Sequence, residues 1–134
     1  MIVDDKLFKQ IKWSPYGYWD ENNVFVEKRH ESQIQILDCW NKGAEEIVIE
    51  AGTRFGKTQI ASYIGLKEFL KGLSRIKKGK TNSVKCWIVA PTYELTKKVF
   101  ENIVRWFLEI YPQSAGFISY RPFPQIKLAE GVWI

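Results

Sequence analysis

Ile47-Val48-Ile49-Glu50-Ala51-Gly52-Thr53-Arg54-Phe55-Gly56-Lys57-Thr58 is the stretch on which the reading of this chain turns. It opens with an apolar, β-branched triplet, which suits a buried parallel strand better than a half-exposed one. Ala51 to Thr58 then fit the phosphate-binding pattern G-x-x-x-x-G-K-[ST], with Ala51 in place of the first glycine. Each part of that pattern has a physical task. Backbone N–H groups of Ala51, Gly52, Thr53, Arg54 and Phe55 can converge on phosphate oxygens, and the positive end of the following helix adds to the attraction. Gly56 permits close backbone approach, Lys57 supplies a point charge for the terminal phosphates, and the Thr58 hydroxyl is placed to coordinate Mg²⁺.

Downstream of the loop, Ile60, Tyr63, Leu66, Leu70 and Leu73 recur on one helical face, which predicts strand, loop and helix from 46 to about 72. Val84 to Ala90 reads as a second strand stopped by Pro91, and Thr92 can cap a helix whose face is Leu95, Val99, Ile103, Phe107 and Ile110. Upstream, Ser32 offers a cap oxygen and Gln35 completes a capping box for a short helix over 33–41 that ends at Gly43. Residues 1–30 form an aromatic-rich arm of weak periodicity, and 31–134 form the domain proper. After Pro112 the chain predicts short strands over 117–120, 126–128 and 132–134, with a turn at Glu130-Gly131. Two β-then-α units place the domain in the α/β class with a mainly parallel sheet and flanking helices.

Composition narrows the function classes. The 134 residues, 46% of them apolar, suffice for one domain with a real core, and no apolar run is long enough for a membrane span. The N-terminus lacks the order of a signal peptide, so the expectation is a soluble, cytoplasmic protein. Cys39, Cys86 and one histidine offer neither a disulfide framework nor a zinc site. The net charge of +5 is concentrated: residues 67–85 carry seven Lys/Arg against Glu68, and the remainder sums to about −1. That segment is equally readable as a solvated connection and as a surface for a polyanion.

The loop, together with Gln33-Ile34-Gln35-Ile36-Leu37 before it and Trp87-Ile88-Val89-Ala90-Pro91-Thr92-Tyr93-Glu94 after it, resembles the large terminase subunits of tailed bacteriophages. The resemblance spans about 30–134 and is most specific at the loop. It implies a P-loop NTPase fold of the RecA-like (ASCE) kind, with ATP and Mg²⁺ as cofactors. It also implies ATP hydrolysis coupled to translocation of double-stranded DNA in an infected bacterial cell. Gln33 matches the glutamine that reads adenine in that family. Thr92 corresponds to a segment that faces DNA, and Lys77, Lys78 and Lys80 are candidate DNA contacts. The family further implies a homo-oligomeric ring, a portal and a small terminase subunit as partners.

The chain departs from the family at two places. The arginine that acts on the γ-phosphate in many large terminases aligns with Thr53, and Arg54 stands one position later as its candidate replacement. No apolar run ends in the acidic pair that holds Mg²⁺ and activates water, so the sheet is expected to be incomplete, the chain truncated and the fragment weakly active or inactive. Two other readings stand beside this one: a superfamily 2 helicase-like DNA-dependent ATPase, and a nucleic-acid-binding module that does not hydrolyse ATP.

Overall fold

The computed structural model describes residues 11–48, 56–81, 83–89, 91–121, 124–129 and 131–134. Within the N-terminal arm, residues 11–30 are more ordered than their weak periodicity predicts. Strands β1 (Trp13–Ser14), β2 (Gly17–Trp19) and β3 (Phe25–Glu27) form an antiparallel meander in that order. Its second turn is made locally: Asp20 Oδ1 accepts the N–H groups of Asn22 and Val24, both at 2.9 Å, and Asn23 takes a left-handed φ of 57°. Aromatic packing anchors the meander. Trp13 stacks on Trp106 with centroids 5.5 Å apart and meets Tyr63 edge-on at 5.7 Å.

Helix α1 spans Glu31–Asn41, and its cap is not Ser32. His30 precedes the first turn in an extended conformation, and its Nδ1 accepts the Gln33 N–H at 3.3 Å, so Ser32 lies within the helix and no Gln35 capping box forms. Glu31 adds a favourable charge to the first turn, and its hydrogen bond from Arg29 holds its carboxyl below the usual range. Helix α2 runs over Lys57–Lys77, longer than its apolar face predicts. Arg75 and Lys77 suit the negative end of the helix, which runs through Gly65 and Gly72 and stops before Gly79, where φ is a left-handed 72°.

Strand β4 (Val84–Lys85) leads through Cys86 to Val89 toward helix α3 (Tyr93–Ile110). A 3₁₀ turn over Ala115–Phe117 then feeds β5 (Ile118–Ser119), β6 (Gln125–Ala129) and β7 (Val132–Trp133), close to the strands expected from the pattern. The sheet order is β4-β7-β6-β5. Only β4 and β7 pair in parallel, with Val84 opposite Val132 and Lys85 opposite Trp133; β6 pairs antiparallel with both β5 and β7.

This arrangement corrects the expected fold class. The domain mixes an antiparallel three-stranded sheet, a mixed four-stranded sheet and, among the described residues, three helices; it is not the parallel-sheet core of a P-loop NTPase. Two physical reasons account for the difference. The link between β6 and β7 is far shorter than a parallel crossover needs, so the C-terminal strands fold back as a hairpin. The segment 46–48 forms no strand, and Val48 is 81% exposed, whereas a central parallel strand would be covered on both faces.

The core lies between the helices and one face of the second sheet. Ile60, Leu66, Phe69 and Leu70 of α2 meet Phe100, Ile103, Trp106, Phe107 and Ile110 of α3, and Ile126 and Ile134 close the layer from below. Leu37 of α1 and Ile11 join the same cluster. Gly72 lets α2 settle on β4, since a Cβ there would come within 2.5 Å of a Val84 methyl. The two long helices run in the same direction. Ser62 meets Val99 and Asn102, Tyr63 meets Trp106, and Phe69 meets Phe107, so ascending positions pair with ascending positions.

Candidate phosphate site at the start of helix α2

Gly56 has φ 83° and ψ 24°, a left-handed turn that enters α2 without any side-chain cap on the helix. An L-residue would be strained there by about 1–2 kcal/mol. Space is restricted as well, because a Cβ on Gly56 would run into Nε2 of Gln33. That amide nitrogen donates to the Gly56 carbonyl at 3.0 Å, and Gln33 is only 1% exposed. The same carbonyl accepts the Ile60 N–H at 3.0 Å, so one oxygen ties α1 to the first turn of α2. The sequence singled out Gln33 on a family resemblance; the structure places it against the turn and buries it there.

Lys57 and Thr58 begin the helix and are exposed. Below them, the Ser62 hydroxyl donates to the Thr58 carbonyl at 2.6 Å, with the Val99 carbonyl 3.4 Å away. Asn102 Nδ2 donates to Ser62 Oγ at 3.5 Å, and Ser62 is fully buried. Sequence reasoning missed this pair. Its signal was a small hydroxyl one turn after Thr58 inside an otherwise apolar helix face, the position from which serine bonds back to the carbonyl four residues earlier. The link locks the first turn of α2 to α3.

Parallel alignment of the helices also places Thr92 and the start of α3 at the same end as Gly56, Lys57 and Thr58. Thr92 is exposed, and its carbonyl accepts both the N–H and the hydroxyl of Thr96, at 3.2 and 3.1 Å. Two helix N-termini at one end give a positive backbone potential suited to an anion. Thr58 fits Mg²⁺ in chemistry, an exposed hydroxyl oxygen next to the residue that would meet the phosphates. Lys77, Lys78 and Lys80 are exposed but stand at the other end of the 21-residue helix, about 30 Å away, so they belong to a different surface. Ala51, Gly52, Thr53, Arg54 and Phe55 lie outside the described residues.

Compared with known proteins, the chain matches no family model, no curated protein and no solved structure. No helix among the described residues is long and apolar enough to cross a membrane.

Proposed function

We propose that the chain binds the triphosphate of ATP, with Mg²⁺, at the start of α2, and that it serves as the ATP-binding part of a DNA-packaging motor of the large-terminase kind. The buried Gln33 holding the left-handed Gly56 turn carries this reading, because a glycine turn into a helix without a side-chain cap leaves the first N–H groups of that helix for a phosphate. In this reading Lys57 neutralises the terminal phosphates and Thr58 contributes an oxygen to Mg²⁺. Gln33 fixes the shape of the loop turn from beneath it. Ser62 and Asn102 keep the first turn rigid, so that phosphate binding loses little ordering entropy.

The test is a thermal-shift titration with MgATP. The wild-type chain should gain stability with nucleotide, by about 2.7 kcal/mol when ATP reaches a hundred times its Kd. Lys57→Ala, an exposed change, should leave the melting temperature without nucleotide nearly unaltered and remove the gain. An equal gain in Lys57→Ala, or none in the wild type at millimolar MgATP, would overturn the assignment.

A further inference from the structure

The far end of α2 carries a second polar feature. A groove of about 540 Å³ runs between the last turns of α2 and the edge strand β4, lined by Lys71, Arg75, Lys80 and Lys85 with the hydroxyl residues Thr81 and Ser83. Glu68 is the one acid among the described residues on its wall, and its carboxylate already accepts the Trp40 indole N–H at 2.5 Å. Among the described residues, no carboxylate lies within ion-pair distance of these four cations. Arg75 is explained in part by the helix dipole. Lys71, Lys80 and Lys85 are not, and with Arg75 they give the groove a net positive charge against the single carboxylate of Glu68.

The groove does not stop at Lys85. Cys86 lines both it and the adjoining apolar hollow that contains Trp87 and Trp133. Along 84–89 the side chains alternate. Val84, Cys86 and Ile88 pack toward the helices, whereas Lys85, Trp87 and Val89 face away from them, Trp87 being 78% and Val89 83% exposed. Trp87 is held at 28° to Trp133 with centroids 6.2 Å apart, so its indole is oriented from one side and bare on the other. A cation and an exposed indole two positions apart on one side of an extended strand match the repeat of an extended nucleotide chain, with a phosphate on one and a base on the other.

We propose that this surface binds single-stranded nucleic acid passing over the open edge of β4, its phosphates lying along Lys71, Arg75 and Lys80 on the helix side and Lys85 on the other, with a base stacking on Trp87. An acidic peptide would use the cations and leave Trp87 without a role. A duplex keeps its bases stacked internally and offers the indole nothing. The site lies at the opposite end of α2 from the phosphate loop and stands independently of nucleotide binding.

The experiment is fluorescence anisotropy of a labelled 16-nucleotide oligothymidylate titrated with the full chain, without ATP, over a series of salt concentrations. The oligomer should bind with affinity falling as salt rises, with a log–log slope of about −2 to −3, as expected for roughly three to four phosphate contacts. Trp87→Ala should weaken binding by about 10-fold and Trp87→Phe should largely restore it. Lys71→Ala with Arg75→Ala should weaken it more than Lys77→Ala with Lys78→Ala, which removes the same charge beside the groove. Lys57→Ala should bind the oligomer as the wild type does, which separates failure here from failure of the ATP assignment. Equal or tighter binding of a duplex of the same length or of polyglutamate would overturn the proposal. So would unchanged affinity in Trp87→Ala, or equal losses in the two double variants.

Discussion

The two ends of α2 solve different problems with different means. At its start, one side-chain charge, Lys57, stands on a framework of backbone and geometry: a left-handed Gly56, a buried Gln33 on its carbonyl, and a buried Ser62 bracing the first turn. At its end, the positive character comes from side-chain charge on Lys71, Arg75, Lys80 and Lys85, mounted on exposed or half-buried positions. A site built from fixed dipoles is shape-selective and tolerates salt, whereas one built from mobile cations is broad in what it accepts and weakens as salt screens it. If both proposals hold, local charge density is a poor guide to where a small anion is held and a good guide to where a polymer lies.

Both ends depend on the packed middle of the helix, and that dependence carries the largest expected effect. Phe69, fully buried against Phe107, should cost about 3–5 kcal/mol on replacement by alanine, measured by urea denaturation, and both binding activities should fall with it. Loss of one activity alone would show that the two ends are not joined through this core.

Paired glycine substitutions sharpen the contrast. Gly56→Ala combines a left-handed φ with collision against Gln33, and should cost about 2 kcal/mol in stability and abolish the MgATP-dependent thermal shift. Gly79→Ala has a left-handed φ but nothing within 4 Å, and should cost about 1 kcal/mol while leaving that shift intact. Ser62→Ala should come next, at about 1 kcal/mol, because it removes the hydrogen bond to the Thr58 carbonyl and the acceptor for Asn102; nucleotide titration of the variant should show weaker binding with oligonucleotide affinity unchanged.

The smallest effect is chemical. Burial, and after it the Glu68 charge, push the Cys86 thiol up, so less of it is thiolate at a given pH. Iodoacetamide at mildly alkaline pH should therefore label exposed Cys39 well before Cys86, read by mass spectrometry. A thiol raised on folding favours the folded state fully below its ordinary range, and that contribution fades as pH climbs through the raised value. Equal labelling rates would show that β4 opens readily next to the groove.

Much of the candidate site was legible locally. The Gly56-Lys57-Thr58 signature places a glycine where the chain turns left-handed and a helix where Ile60, Tyr63, Leu66 and Leu70 share a face, and the structure has the glycine turn and the helix in those places. The short C-terminal strands were legible from the same kind of pattern. The cap of α1 was not, because histidine competes with serine for that role and only the entry angle of the chain, fixed by the meander before it, decides which residue comes first.

By itself the sequence determined what depends on neighbours along the chain: helix faces, the glycine turn and the charge packed into 67–85. Tertiary structure alone decided strand partners and direction, the parallel run of α2 and α3, and the meeting of Gln33 with Gly56 across 23 positions. The physical reason is that an apolar triplet such as Ile47-Val48-Ile49 states only a preference for burial. Which surface covers it, and in which orientation a strand pairs, depend on connection lengths and on competing faces elsewhere in the fold.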